Sequence, residues 1–263
     1  MSIPHESTRL LRKQNDHQRH RVRLPTELLY LIITHLSTLP YPEKTLYACA
    51  LSTRELCLYT IPFLWSQPFN YASRENNYKI IDAYLSFFTD EEDYNLDPEV
   101  PIVKRHTPLF PYASFLKSLE FSNMIASVMS WCQKEGVRAR LDSLSVTELA
   151  EGNSDTDRTD NADEDSLFDA RTFLREYYRV RRIEEQVTHG LLLHFIKNNA
   201  KIHTLQIIGP EMSYGYHVML MEPEIMNLFE SLKTIEVASD GDDSDDNERS
   251  ELIDELILTC KTR

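Results

Sequence analysis

The residues of this chain that could do chemistry are its acidic runs, its histidines and its cysteines. In the run 240–255, the residues at the ligand spacing of a calcium-binding EF-hand loop are Asp240, Asp242, Ser244, Asp246 and Glu251. Such a loop needs glycine at its sixth position for a sharp turn, whereas this chain has Asp245 there. We therefore expect no calcium site, and we interpret the run as a solvated loop.

The histidines and cysteines form no metal-binding or catalytic pattern. His189 and His194 are five residues apart, so they do not share a helix face as two zinc ligands must. No C-x-x-C pair occurs among the four cysteines, which are Cys49, Cys57, Cys132 and Cys260. A G-x-S-x-G turn for a nucleophile is also missing. We predict no catalytic residue, no metal and no cofactor, and a reducing cytoplasmic or nuclear compartment.

Composition excludes further classes of function. Only 6 of the 263 residues are glycine, and they are scattered, so a phosphate-binding loop cannot be built from them. A net charge of -14 argues against a general nucleic-acid binder, which needs basic surface to displace counterions. The acidity is concentrated in three predicted loops, 90–99, 151–169 and 240–255. Because the rest of the chain is close to neutral, a local basic face stays compatible with this composition.

The beginning of the chain predicts neither a membrane segment nor a signal peptide. Residues 1–23 are rich in Arg, His and Gln and have no apolar period, so we predict a disordered basic tail. The longest apolar run, from Leu28 to Ile33, is far too short to cross a bilayer, so we predict no membrane contact.

Residues 24–67 are predicted to form three short helices. The apolar face of the first helix consists of Leu24, Leu28, Leu31, Ile32, His35, Leu36 and Leu39. Pro25 suits the start of this helix, because a backbone N–H at that position would have no hydrogen-bond partner within the helix. A second helix is predicted from Lys44 to Leu51. Ser52 lies three residues before Glu55, as in a capping box, so a third helix is predicted to begin there and to end at Pro62.

The two ends of this segment resemble the F-box family. The run LPTELL from Leu24 to Leu29 is similar to the L-P-x-E-L/I-L opening of an F-box. The runs CALSTR from Cys49 and IPFLW ending at Trp65 resemble its end, the latter in the form found in fungal F-box proteins. Two positions depart from the family pattern: Ser52 replaces an aliphatic residue and Leu56 replaces a tryptophan. Their effect on affinity for the adaptor stays open.

The remainder, 68–263, predicts repeated strand and helix units. Four segments of the form L-x-x-L-x-Φ, where Φ is apolar, predict strands at 115–121, 141–146, 202–207 and 232–237. Helices are predicted at 76–88, 124–133, 167–198 and 224–231. These units resemble the degenerate leucine-rich repeats that follow the F-box in many family members. The expected fold is α/β and helix-rich, with a three-helix F-box followed by an irregular leucine-rich-repeat-like solenoid.

The F-box resemblance implies a function as the substrate-recognition adaptor of an SCF-type cullin–RING ubiquitin ligase. The F-box would dock on the Skp-type adaptor, and through it on cullin, by means of Leu24, Pro25, Glu27, Leu28, Ile32, Leu36 and Trp65. Other subunits transfer ubiquitin, so the chain is expected not to be an enzyme. An unknown protein target would bind the strand face at Lys117, Glu120, Ser143, Ser145, His203, Thr204, Gln206, Lys233 and Glu236.

Two alternatives stay open. The F-box-like helices could instead cap the solenoid of a repeat scaffold unrelated to ubiquitin ligases, in which case Leu28 and Trp65 would be buried against the repeats. A hydrolase with an unrecognised site would place a Ser or Cys beside a His. We also expect a short or truncated array, because no cap repeat follows the last predicted helix before Arg263.

Overall fold

The chain divides between Tyr59 and Thr60 into two units, residues 1–59 and 60–263. A computed structural model describes residues 24–70, 77–88, 96, 100, 108–137, 162–208 and 214–238. The predicted basic tail, the predicted strand 141–146 and the acidic run 240–255 lie outside these residues, as do all the acidic residues of the predicted loop 90–99.

The three predicted N-terminal helices are present. They are α1 (Thr26–Ser37), α2 (Glu43–Ser52) and α3 (Arg54–Leu64), the last of which crosses the division between the units. Pro25 immediately precedes α1, and its carbonyl accepts hydrogen bonds from the N–H groups of Leu28 and Leu29, both at 3.1 Å. As the sequence predicted, the proline therefore lies where a backbone donor would have no helical partner.

Two details of α3 differ from the prediction. Its capping side chain is Thr53, whose Oγ1 accepts a hydrogen bond from the Leu56 N–H at 3.1 Å. The Ser52 hydroxyl instead donates to the carbonyls of Ala48 and Cys49 at the end of α2. Pro62 does not end the helix, which continues to Leu64. A proline removes one backbone donor, and this loss is tolerated so close to a helix end.

The second unit holds the remaining helices and all the described strands. In chain order its elements are α4 (Tyr78–Leu85), a 3-10 turn (Tyr112–Phe115), β1 (Ser118–Glu120), α5 (Phe121–Lys134), α6 (Ala162–Lys197), β2 (Thr204–Ile208), α7 (Tyr214–Leu220), α8 (Pro223–Met226), a 3-10 turn (Asn227–Phe229) and β3 (Thr234–Ala238). The fold is α/β and helix-rich.

The strands form one parallel sheet in the order β1-β2-β3. Leu119 is level with Leu205, and Leu205 with Ile235, so the central apolar residues of the three described repeat strands occupy the same position across the sheet. Three of the four predicted strands are thus confirmed. Because β1 pairs directly with β2, the first and third predicted strands are neighbours.

Two helices of this unit differ from the sequence-based prediction. Residues 162–169, assigned to an acidic loop, are the beginning of α6. Acidic residues are favoured near the N-terminus of a helix, so an acidic composition does not by itself indicate a loop. The helix α7 was not predicted at all.

The core of the second unit lies between the sheet and its helices. Its largest fully buried side chains include Trp131, Tyr84, Tyr216, Phe69, Phe88, Phe121, Phe195 and Phe229. The Trp131 indole N–H donates to Asp82 Oδ1 at 2.9 Å, which joins α5 to α4. α5 and α6 also contact each other, so the apolar face of α5 is covered by elements distant in sequence.

Candidate functional site

The helix α1 has two apolar sides, and only one of them is buried. Leu29 and Ile33 are 8% and 0% exposed, whereas Leu28 and Ile32, the residues just before them, are 47% and 45% exposed. Successive residues of an α-helix point about 100° apart, so neighbours in sequence lie on different sides. The sequence predicted the apolar period correctly, but most of the residues it assigned to the apolar face are the exposed ones.

The exposed side of α1 forms what we call the apolar face, which consists of Leu24, Leu28, Leu31 and Ile32. These four side chains are 44%, 47%, 61% and 45% exposed. Leu28 lies three residues before Leu31 and four before Ile32, so these three share one side of the helix, and Leu24 lies just before the helix begins at Thr26. Large apolar side chains grouped on one stripe in contact with water are typical of a surface that binds another protein.

Other exposed apolar side chains of the first unit were not included in the predicted docking set. They are Tyr30, Leu39 and Tyr41 in and after α1, Tyr47 and Leu51 on α2, and Leu58 on α3. The number of apolar residues could have indicated these exposed side chains, because the three helices contain more large apolar residues than so small a unit can bury.

The remaining predicted docking residues of the first unit lie at the two ends of α1. Pro25 and Glu27 are exposed at its N-terminus, where a carboxylate is favoured by the helix dipole. Leu36 is partly buried in its last turn. The structure therefore brings Leu24, Pro25, Glu27, Leu28 and Ile32 together on or beside one exposed surface.

Trp65 belongs to the second unit. Its ring stacks on Tyr112 with centroids 4.0 Å apart and planes 17° apart. It also meets the edge of Tyr84 at 5.2 Å, and it packs as a partly buried residue against the core of that unit. Trp65 is therefore anchored by aromatic neighbours rather than presented on an open stripe, unlike the residues of the apolar face.

The exposed positions of the sheet provide a second candidate surface. Glu120, Gln206 and Glu236 are level with one another on β1, β2 and β3. Gln206 Nε2 donates to Glu236 Oε2 at 2.6 Å, and Gln206 Oε1 accepts from Asn70 Nδ2 at 3.1 Å. Burial raises the pKa of Glu120 above its ordinary value, against the opposing effect of a hydrogen bond from Asn123. This row is therefore already hydrogen-bonded within the unit.

One residue before each strand lie Lys117, His203 and Lys233, which also belong to the predicted target surface. Partial burial and then the positive charges of Lys233, Lys117 and Lys201 lower the pKa of His203. Thr204 is partly exposed at the start of β2. Ser143 and Ser145, the other predicted target positions, lie outside the described residues.

The two histidines of α6, His189 and His194, contact residues of other elements in the second unit. His189 Nε2 lies 2.8 Å from Glu222 Oε2, which links α6 to the segment before α8. His194 is 3% exposed beside Phe87 and Phe88, and burial followed by the nearby Lys197 charge lowers its pKa to about 4. Cys132 is buried in α5, while Cys49 and Cys57 are partly buried.

Within the described residues, no three His, Cys, Asp or Glu side chains are grouped so that they could hold a metal ion. Among the helices that the structure describes, even the long α6 is too polar to cross a bilayer. No protein-family model, curated protein or solved structure matches this chain.

Proposed function

We propose that this chain is the substrate-recognition subunit of an SCF-type cullin–RING ubiquitin ligase, acting in the cytoplasm or nucleus. The first unit would dock on the Skp-type adaptor, and the leucine-rich-repeat-like second unit would hold a protein target. The chain itself would not be an enzyme, because the other subunits of such a ligase supply the ubiquitin-transfer chemistry.

The observation that carries this proposal is the apolar face. Three of its four residues, Leu24, Leu28 and Ile32, belong to the set that the F-box resemblance assigns to adaptor contact. These side chains contribute little to folding because they stay in contact with water, whereas each leucine fully removed from water by a partner would contribute about 1.5–3 kcal/mol. A helix with an exposed apolar stripe is suited to bind in a hydrophobic groove of a partner protein.

The same observation weighs against the alternative in which the F-box-like helices only cap a repeat scaffold. That arrangement requires Leu28 to be buried, whereas it is 47% exposed. Trp65 is packed against the second unit, as the capping alternative expects. The two hypotheses therefore differ most clearly at Leu28, and this residue is the one to change first.

The test is a binding titration of the full chain with a purified Skp-type adaptor. We expect Leu28→Asp, alone or with Pro25→Ala, to weaken binding by about 2 kcal/mol or more, as for a central residue of an interface. Leu28→Met should retain most of the affinity, because it keeps an apolar side chain of similar volume.

Leu109→Asp is the matched control, because it introduces the same charge at a leucine of the second unit that is 89% exposed. Circular dichroism of each variant would verify that the helices are retained. The ligase proposal fails if the wild-type chain does not bind the adaptor, or if Leu28→Asp binds as well as Leu109→Asp.

A further inference from the structure

The parallel register places three basic residues in one row at the amino ends of the strands. The His203 N–H donates to the Lys117 carbonyl at 2.7 Å, and the Lys233 N–H donates to the His203 carbonyl at 2.8 Å. These bonds extend the sheet by one position before Ser118, Thr204 and Thr234. We call Lys117, His203, Lys233 and the neighbouring Lys201 the cationic row.

The cationic row concentrates positive charge without compensation nearby. Lys117, Lys201 and Lys233 are exposed. Their charges all reach His203, where, after the effect of its partial burial, they lower its pKa. Within the described residues, none of the three lysines forms an ion pair with a carboxylate. Lys117 and Lys233 lie at the same end of the two outer strands, with His203 between them. Positive charges grouped without carboxylate partners favour an anionic ligand.

The nearest acids of the sheet are displaced along the strands rather than paired with the lysines. Glu120 and Glu236 stand three residues after Lys117 and Lys233, a separation of about 10 Å at the rise of a β-strand. Glu236 is held by Gln206 at 2.6 Å, and Glu120 by its hydrogen bond with Asn123. A ligand carboxylate at the cationic row would thus meet little competition from these side chains.

We propose that the cationic row binds an acidic segment of a protein target. Lys117 and Lys233 lie two strand spacings apart, about 10 Å, and an extended peptide advances about 3.3 Å per residue. Two Asp or Glu residues three positions apart in an extended segment would therefore reach both lysines. The row selects the segment by charge, with the partly exposed His203 between the two outer contacts and the charge of Lys201 nearby.

This inference deepens the proposed function, because it names the class of target that the second unit would take. Only the consequence of target binding, ubiquitination, rests on that function. Binding of an acidic peptide requires neither the adaptor nor the apolar face. The two proposals can therefore fail separately.

The test is a fluorescence titration of the full chain with a labelled peptide rich in Asp and Glu and with a neutral copy carrying Asn and Gln. The row variant is Lys117→Gln/Lys233→Gln. The matched control is Lys44→Gln/Lys79→Gln, which removes the same charge at two exposed lysines on α2 and α4. Circular dichroism would establish that both double variants are folded.

We expect the wild type to prefer the acidic peptide and to lose affinity as salt rises from about 0.05 M to about 0.5 M. The row variant should bind about fivefold to tenfold more weakly, and the control within about twofold of the wild type. Equal binding of the two peptides, or equal loss in the two double variants, would overturn the proposal. So would a single-stranded oligonucleotide of the same charge that binds more tightly than the peptide, because the row would then be a nucleic-acid surface.

Discussion

The helices α1 and α5 both carry apolar residues at helical spacing, but the surroundings of those residues differ. In α5, Phe121, Met124, Val128 and Trp131 are at most 2% exposed. In α1, the four residues of the apolar face are between 44% and 61% exposed. The spacing of the apolar residues is a property of each segment, whereas the residues that bury them come from other parts of the chain. α5 is covered by α4, α6 and β2, all distant from it in sequence.

This comparison assigns different roles to similar residues. Apolar residues on α5 stabilise the second unit, and their replacement should lower its free energy of unfolding. Apolar residues on the exposed side of α1 contribute little to folding, and their replacement should act on binding instead.

The largest effect is expected at Trp131. Trp131→Ala should lower the free energy of unfolding by about 3–5 kcal/mol, because it removes the largest buried side chain of the core and its hydrogen bond to Asp82. Urea denaturation followed by far-ultraviolet circular dichroism measures this change. Trp131→Phe keeps most of the packing and should lose less. A loss below about 1 kcal/mol for the alanine variant would contradict the assignment of α5 to the core.

The next effect compares two adjacent leucines of α1. Leu29→Ala should cost about 2–3 kcal/mol because Leu29 is 8% exposed, whereas Leu28→Ala should stay within about 0.5 kcal/mol. Hydrogen exchange of the α1 amides reports the opening free energy of this helix in both variants. If both substitutions cost the same, the exposed and buried sides of α1 would not be distinct.

Acidic pH should destabilise the second unit through His194. Its pKa is lowered to about 4 from 6.5, so the unfolded chain binds a proton at a pH where the folded chain does not. The stability contribution is complete above pH 6.5 and is lost as the pH falls toward 4. Between pH values of about 7.5 and about 5, we expect a loss of about 1–2 kcal/mol from this residue.

Urea denaturation at a series of pH values measures that loss. His194→Gln removes the titrating group, so its unfolding free energy should depend less steeply on pH than that of the wild type. His35→Gln is the control, because His35 is exposed on α1. An unchanged pH dependence in His194→Gln would show that other groups account for the acid sensitivity.

The smallest effect concerns the ends of the two helices. α5 is followed by Gly136 at a φ of 76°, and the Val137 N–H donates back to the Cys132 carbonyl at 2.9 Å. α1 is followed by Thr38 at a φ of -92°, which any residue adopts. Gly136→Ala should therefore cost about 1 kcal/mol, although a Cβ there would meet no atom within 4 Å. Thermal denaturation, with Thr38→Ala as the control, would measure it.

The sequence determined most of the described helices and strands in both units, with α7 as the exception. The proline before α1 marks its start, and the L-x-x-L-x-Φ segments mark β1, β2 and β3 to within three residues. The same segments mark Leu119, Leu205 and Ile235 as their central apolar residues, whereas the register between the strands comes from the structure. Local signals of this kind depend on only a few neighbouring residues, so they can be recognised in the sequence before the fold is known.

Only the tertiary structure decided which apolar residues are covered and which strands are neighbours. Nothing local distinguishes Leu28 from Leu29, or shows that β1 pairs directly with β2 across the intervening α5 and α6. The alignment of Lys117, His203 and Lys233 likewise depends on pairing between strands far apart in sequence. Burial and charge clustering are set by long-range packing, and packing depends on what the whole chain places around a residue rather than on its neighbours in sequence.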